Sequence, residues 1–230
     1  SVVYNLAGTI FESESFTVVS EIGTANLLKE CVGQPIKRFV HLSSVGVIGP
    51  HKRTIIDENT ECNPSNDYEY SKLQGERTVI DYWHEHHIPA TILRPTIVFG
   101  KGRNRQKDSF ASWMQSIQSG TFRYIGHGQY IANYIYAEDV AAACIHVTRF
   151  KQAEGKTYIV SDSCPLREFV ETAASFIEAP SPTTIPLWIA QLIASGSTVL
   201  EKITDLSLPL TQSRVQALTN LTEYSSAKLL

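Results

Sequence analysis

The sequence predicts an α/β fold in which buried parallel strands alternate with helices. Short apolar runs, typical of strands covered on both faces, recur between longer stretches of helical periodicity. Serines, glycines or an Arg-Pro pair follow several of these runs, at the strand ends where open parallel sheets bind their ligands. A chain of 230 residues with 43% hydrophobic content is long enough to bury such a core in one or two domains.

The first half of the chain shows this alternation clearly. Residues 2–7 and 36–42 are apolar runs that predict strands, and residues 17–31 lie between them with helical periodicity and a glycine just past their end. A second helix begins after the turn at residues 63–66, which supplies cap residues. These elements form a strand–helix–strand–helix order.

The second half of the chain continues the pattern. Strands are predicted at residues 90–93, 122–125, 130–136 and 157–160, and helices at residues 110–118, 137–147, 165–177, 185–203 and 211–218. The longest apolar stretch, residues 185–194, is interrupted by Pro186 and Gln191. It is too short to span a bilayer, so no membrane partner is expected.

Composition narrows the possible function classes. The formal net charge is −3 and no tract is rich in lysine or arginine, which argues against a nucleic-acid partner. The four cysteines show no Cys-x-x-Cys spacing and no secretory signal opens the chain, so we expect reduced thiols and a cytoplasmic location. His84, His86 and His87 lack the His-Glu-x-x-His arrangement, so no metal site is expected.

Tyr68 and Lys72 are the candidate catalytic pair. They are four residues apart at the start of a predicted helix, which places both side chains on one face. An ammonium close to a phenol favours the phenolate and lowers the phenol pKa from its usual value of about 10. Such a phenol can exchange a proton with an alcohol or a ketone.

Four motifs follow one another along the chain: Asn5-Leu6-Ala7-Gly8, Ser43-Ser44, Tyr68-x-x-x-Lys72 and Arg94-Pro95. In this order they resemble the extended short-chain dehydrogenase/reductase family, which contains NAD-dependent epimerases, dehydratases and reductases. The resemblance implies a Rossmann-like, doubly wound parallel sheet. That sheet is expected to be incomplete at its N-terminus, because the chain has no glycine-rich motif of the kind that holds a cofactor pyrophosphate.

The resemblance also implies a division of the chain. Residues 1–101 and 126–160 would form a partial Rossmann-type cofactor-binding domain. Residues 102–125 and 161–230 would form a small, mostly helical substrate-binding region. The implied cofactor is NAD or NADP, and the implied partners are a small-molecule substrate and a second copy of the chain, docked through the helices at residues 17–31 and 68–87.

Individual roles follow from the same resemblance. The catalytic residues would be Ser44, Tyr68 and Lys72. The cofactor-binding residues would be Leu6, Ala7, Gly8, Tyr68, Lys72 and Pro95. The substrate-binding residues would be Ser44, Val45, Ile97 and Arg103. In this arrangement the serine hydroxyl orients the substrate oxygen beside the phenol and stabilises a developing alkoxide.

Departures from the family pattern favour one reaction over others. Dehydratases need an Asp-Glu pair after the serine, where this chain has Val45 and Gly46. Many nucleotide-sugar epimerases have an asparagine at the position of Ile97. We therefore predict an NAD(P)-dependent oxidoreductase that transfers hydride at a hydroxyl or keto carbon, with Tyr68 as acid/base. A UDP-glucose 4-epimerase-like enzyme with the same three residues is the alternative, and a non-catalytic relative that binds a cofactor or a partner is the third possibility.

Overall fold

A computed structural model describes residues 1–9, 13–51, 53–101, 109–127, 129–204, 215 and 218–230. The strands are β1 (Val2–Asn5), β2 (Arg38–Leu42), β3 (Ile55–Ile56), β4 (Ala90–Pro95), β5 (Ile97–Phe99), β6 (Arg123–Ile125), β7 (Ile131–Tyr136), β8 (Lys156–Val160), β9 (Asp162–Pro165), β10 (Thr183–Ile185) and β11 (Glu223–Tyr224). The α-helices are α1 (Gly23–Cys31), α2 (Asp67–His86), α3 (Ser109–Gln118), α4 (Ala137–His146), α5 (Leu166–Phe176) and α6 (Leu187–Thr204). The helix predicted at residues 211–218 falls mostly outside the described residues.

The central sheet has four parallel strands in the order β1-β2-β4-β8. Its register places Asn5 opposite His41 and Leu42 opposite Leu93. Helices cover both faces, as the long apolar runs require. One face packs against α1 and α2 through a cluster that includes Leu28, Phe39 and Val79. The predicted α/β class with a doubly wound parallel sheet is therefore confirmed.

The opposite face of the sheet packs against α4. Val40 and Leu93 lie in one cluster with Val140 and Val147, so alternate residues of β2 and β4 serve alternate faces. The alternation explains why these strands are apolar in consecutive positions. The same alternation places His41, two residues after Phe39, on the face of the sheet that packs against α2.

The predicted helix at residues 17–31 contains a π-helical turn, Val18–Ile22, before α1. This turn packs closely against α2 at Gly75, where a Cβ atom would lie 2.6 Å from the main-chain oxygen of Ser20. No real Cβ approaches a backbone oxygen that closely, so the two helices require glycine at this position.

The chain divides into two compact units. The first contains Ser1–Gly100, Asn133–Asp162 and Tyr224–Leu230, and therefore holds the central sheet. The second contains Lys101–Ala132 and Ser163–Glu223, and is built from α3, α5, α6 and the parallel strand pair β6–β10. Within the described part of the chain, no helix has the length and apolar content that crossing a bilayer would require. The assignment of cofactor and substrate binding to separate parts of the chain stays a prediction.

Candidate active site

The start of α2 is held by a polar cap that places the first turn of the helix. The Asn66 side chain accepts a hydrogen bond from the Glu69 amide at 3.0 Å. The Glu69 carboxylate accepts from the amide of Ser65 at 2.7 Å and from its hydroxyl at 2.9 Å. These bonds satisfy main-chain donors that a helix start leaves open, so Tyr68 lies in a well-defined first turn.

Tyr68 projects from this turn towards the end of β2. Its ring contacts Phe16 edge to face, with 5.7 Å between centroids, and its phenol lies near the Ser44 hydroxyl. Burial raises the pKa of Tyr68 above its ordinary value, hydrogen bonding by Ser44 lowers it, and the Glu69 charge raises it. The net pKa is raised, which is opposite to the sequence-based expectation. Burial outweighs the hydrogen bond, and Lys72 is not among the groups that shift this phenol.

Lys72 lies one turn further along α2 and is only 5% exposed. Its Nζ donates a hydrogen bond to the main-chain oxygen of Leu42 at 3.1 Å, at the carboxyl end of β2. Burial lowers the pKa of Lys72, and the negative charge of Glu76 partly offsets that effect. Gly8 follows β1 at the same edge of the sheet, where a Cβ atom would lie 3.3 Å from Nζ. The ammonium therefore lies beside two main-chain segments at the carboxyl ends of β1 and β2.

Ser44 caps a short 3-10 turn, Val45–Ile48, that follows β2. Its Oγ accepts a hydrogen bond from the Gly46 amide at 3.1 Å. That bond fixes the side-chain rotamer and leaves the hydroxyl proton available for a neighbouring oxygen. The structure thus brings Ser44, Tyr68 and Lys72 to one place, at the edge where parallel sheets bind ligands.

Behind this group lies a buried ion pair that sequence reasoning missed. Arg94 donates to both carboxylate oxygens of Glu76, from Nε at 2.9 Å and from Nη2 at 2.6 Å. Its Nη2 also lies 3.2 Å from Sγ of Cys62. Glu76 follows Lys72 by four residues, so the helical spacing that paired Tyr68 with Lys72 could also have indicated a carboxylate on this face.

A second buried group missed from the sequence joins β1, β2 and α1. The Asn5 amide nitrogen donates to the Thr24 hydroxyl at 3.0 Å and lies 3.2 Å from Nδ1 of His41. All three side chains are at most 6% exposed. Burial, and then the charge of Lys72, lowers the pKa of His41 to about 3, so the imidazole is neutral.

The remaining predicted residues occupy varied positions. Leu6 and Ala7 are exposed beyond β1, while Pro95 is buried at the end of β4 opposite Val160. Val45 is half-buried, and Ile97 is 53% exposed at the start of β5. Arg103 lies outside the described residues. Among the residues that the structure does describe, no cluster of histidine, cysteine and acidic side chains is suited to a metal ion.

Known enzymes are similar to this chain in sequence. The chain is 27% identical over 208 residues to the UDP-glucose 4-epimerase of Vibrio cholerae, an alignment that covers 84% of this chain and 62% of the relative. It is 26% identical over 227 residues to 3beta-hydroxysteroid-dehydrogenase/decarboxylase isoform 1 of Arabidopsis thaliana, covering 90% of this chain and 51% of the relative. The chain therefore spans between one half and two thirds of each of these longer proteins.

A solved structure shows the same fold. The UDP-glucuronic acid 4-epimerase of Bacillus cereus, in complex with NAD, superposes with a TM-score of 0.66 at 21% identity. The superposition covers 94% of this chain and 74% of the epimerase. The sequence profile of the NAD dependent epimerase/dehydratase family matches residues 1–161, well over half of the chain. The chain is thus a member of the NAD dependent epimerase/dehydratase family.

Proposed function

We propose that this chain is the catalytic part of an NAD(P)-dependent oxidoreductase of the extended short-chain dehydrogenase/reductase type. The reaction is hydride transfer at a hydroxyl or keto carbon, with Tyr68 as the acid/base. One observation carries the proposal. The Tyr68 phenol lies near the Ser44 hydroxyl, on the face of α2 whose next turn holds the buried Lys72 ammonium at the Leu42 oxygen.

The residues at this edge of the sheet fit a nicotinamide cofactor. Because Gly8 has no side chain, the main chain after β1 lies close to Nζ of Lys72. In the described chain, the Leu42 oxygen is the hydrogen-bond acceptor found for that ammonium, which leaves N–H groups for the hydroxyls of a ribose. Leu6, Ala7 and Pro95 lie at the ends of β1 and β4, where main chain would contact the cofactor. The cofactor, when bound, supplies the hydride donor or acceptor.

Each of the three side chains then has one task. Ser44 donates its hydroxyl proton to the substrate oxygen, because its own oxygen is already engaged by the Gly46 amide. Tyr68 transfers the proton to or from that oxygen. Its raised pKa keeps the phenol protonated at neutral pH, so it is ready to act as the acid when a ketone is reduced. Lys72 holds the ribose and supplies positive charge when the phenolate forms.

Apolar side chains around the site favour a substrate with an apolar body. Ile97 is 53% exposed and Val98 is 44% exposed, on the strand that directly follows Pro95 and Thr96. Val45 is half-buried directly after Ser44. A substrate that covers these residues gains from burial of apolar area, whereas a diphosphate gains nothing from them.

An epimerase is the second candidate. Two of the proteins compared above are named as 4-epimerases of UDP-sugars, and the same Ser44, Tyr68 and Lys72 set serves such a reaction. A non-catalytic relative that binds a cofactor or partner is the third candidate. The burial of Lys72 disfavours it, since a buried ammonium for which the described residues offer no ion pair costs stability that a scaffold has no reason to lose.

A substrate panel tests this proposal. The full-length protein is incubated with NAD or NADP and with apolar ketones, apolar alcohols and UDP-sugars. A change in nicotinamide absorbance with an apolar ketone or alcohol supports the oxidoreductase. Interconversion of sugars with no net change in absorbance would establish the epimerase instead. The third candidate predicts that catalysis is absent with every substrate. Cofactor titration by fluorescence adds a second test, because a full-length protein that binds neither NAD nor NADP would favour this candidate.

The Tyr68→Phe variant tests the catalytic assignment. We expect turnover to fall roughly 10²–10⁴-fold, the usual contribution of a positioned acid/base. Tyr70→Phe is the matched control, because Tyr70 lies on the same helix and is 55% exposed. Circular dichroism checks that both variants fold. Equal turnover in the two variants would contradict a catalytic role for Tyr68.

A homodimer is also part of the proposal. Val18, Ile22 and Ile80 are each more than 40% exposed on the helical segments predicted to form the contact. Apolar side chains exposed on neighbouring helices are typical of an interface between copies. The solution mass of the full-length protein, measured by light scattering, tests the dimer. A cytoplasmic location stays a prediction.

A further inference from the structure

His41 is a buried titratable residue with no role in the reaction described above. It is 1% exposed on β2, and its Nδ1 lies 3.2 Å from the Asn5 amide nitrogen. Asn5 is held in turn by Thr24, at 3.0 Å. Three secondary-structure elements therefore fix one edge of the imidazole ring. The opposite edge of the ring, which carries Nε2, is not held by these residues.

The second ring nitrogen faces α2. Nε2 has no hydrogen-bond partner within the described chain, and it lies 3.4 Å from the position that a Cβ atom on Gly75 would occupy. Gly75 follows Lys72 by three residues, so the two share one face of the helix. The residue after His41 is Leu42, whose main-chain oxygen accepts the hydrogen bond from Lys72. The imidazole lies against the face of α2 that carries Lys72, in the buried space between this helix and β2.

Among the described residues, no carboxylate forms an ion pair with Lys72. Glu76 lies next on the same helix face, but both of its oxygens accept from Arg94 on β4. The remaining neighbours of His41, Asn5 on β1 and Thr24 on α1, carry no charge, and the π-helical turn contributes the main-chain oxygen of Ser20. The Cys62 thiol contacts Arg94 from the loop before α2. Lys72, Arg94 and Glu76 therefore sum to one positive charge.

We infer that His41 is a positioning residue for Lys72: its neutral imidazole, oriented by Asn5 and Thr24, packs against the helix face that carries the lysine without adding charge, and so holds Nζ at the Leu42 oxygen. A protonated imidazole would put a second uncompensated positive charge in a region of low dielectric constant, which is strongly unfavourable. The role depends on the proposed function, because Lys72 must act on cofactor and phenol for its position to matter. His41 itself touches neither.

Electrostatic coupling between the two side chains is tested without substrate or cofactor. Histidine ring nitrogens of the full-length protein are followed by NMR from pH 8 downward, in the wild type, in Lys72→Met and in the control Lys29→Met, which removes an exposed lysine on α1. We expect the His41 pKa to rise in Lys72→Met, because a nearby like charge is gone. We expect no change in Lys29→Met. An unchanged His41 pKa in Lys72→Met would overturn the inference.

Positioning is tested by cofactor binding, with a conservative variant as rescue. His41→Ala leaves the space beside α2 empty and is expected to weaken binding of NAD or NADP about tenfold, which corresponds to the loss of one hydrogen bond from a displaced Lys72 to the cofactor. His41→Gln, which keeps a neutral polar group, is expected to stay within about threefold of the wild type. Thr91→Val is the control, because Thr91 is fully buried on β4 and bonds Arg38 and the Ala153 oxygen instead.

The outcomes separate the inference from the proposed function. Equal binding in His41→Ala and in wild type, or an equal loss in Thr91→Val, would overturn the positioning role. If His41→Ala does not fold, the NMR comparison decides alone, since it uses the wild-type histidine. A different pair of results is a His41 pKa that rises in Lys72→Met and a wild-type protein that binds no nicotinamide cofactor. That pair of results would establish the electrostatic coupling and rule out the proposed function.

Discussion

Arg38 and Lys72 are both buried cations beside β2, at its amino end and its carboxyl end respectively, and they differ in how their N–H groups are satisfied. Arg38 donates to the Thr91 hydroxyl at 3.1 Å, to the Phe150 oxygen at 2.9 Å and to the Glu154 carboxylate at 3.3 Å. Its Nε alone has no partner within the described residues. For Lys72, the described part of the chain provides one acceptor, the Leu42 oxygen. A cation that stabilises a fold is surrounded by acceptors, whereas a cation that serves a ligand keeps donors free.

The difference predicts opposite results when the two cations are removed. The largest effect is expected for Lys72→Met, which should lower turnover about 10³-fold, within the range for a group that supports proton transfer. Its free energy of unfolding should stay equal or increase, because a desolvated ammonium without a carboxylate partner is removed. Turnover is measured from the change in nicotinamide absorbance, and the free energy of unfolding is measured by urea unfolding. A large loss of stability would show that Lys72 is held like Arg38.

The buried pair behind the site sharpens the comparison. Glu76→Gln leaves Arg94 in the interior with only part of its partner, which should lower the free energy of unfolding by about 3–5 kcal/mol. Glu171→Gln is the matched control. It breaks an exposed pair with Arg167 at the same 3.3 Å that separates Arg38 from Glu154, and should change stability by less than about 1 kcal/mol. Urea unfolding measures both, and equal effects would contradict the assignment of Glu76 as a buried partner.

Arg38→Met is expected to show the reverse of Lys72→Met. It should lower the free energy of unfolding by roughly 2–3 kcal/mol, because the Phe150 oxygen loses its side-chain donor and Glu154, 25% exposed, is only partly compensated by water. Cofactor affinity should be unchanged, since Arg38 lies at the opposite end of the strand. Urea unfolding and fluorescence titration test the two halves. A clear loss of cofactor affinity in Arg38→Met would remove the distinction between the two cations.

The smallest effect concerns pH. The folded pKa of His41, about 3, is below the value of about 6.5 for an unfolded chain, so between these values the unfolded state binds the extra proton. Stability from this residue is complete above pH 6.5 and is lost as the pH falls, by about 1.4 kcal/mol per pH unit. His41→Gln should therefore lose less stability than wild type between pH 6 and pH 4.5. Parallel acid-unfolding curves for the two proteins would contradict this.

Much of the fold follows from the sequence because its signals are local. Strands buried on both faces need consecutive apolar residues, and those residues mark β2 and β4 in any context. The Asn66 cap and the four-residue spacing from Tyr68 to Lys72 are also local, so the position of both side chains on one helix face could be predicted. Short strands such as β5 could not, because Ile97–Phe99 forms only by pairing with β7.

The parts of the site that escaped prediction depend on tertiary contacts. Arg94 and Glu76 meet only because β4 lies under α2, and His41 reads in sequence as one more member of a buried strand. The predicted direction of the Tyr68 pKa shift was wrong for the same reason. Spacing places a lysine near the phenol, but the extent to which the fold removes water from each group decides the balance.

Gly75 gives the arrangement a further property. The helix that carries Tyr68 and Lys72 rests on the main chain of the π-helical turn at this residue, with no side chain between them. A methyl group added at position 75 would push α2 away from the π-helical turn. Because the helix is rigid, Tyr68 and Lys72 would be displaced together. The absence of a side chain at position 75 thus fixes how closely α2 approaches the π-helical turn. A substitution there would move the proposed catalytic side chains without itself contacting the substrate.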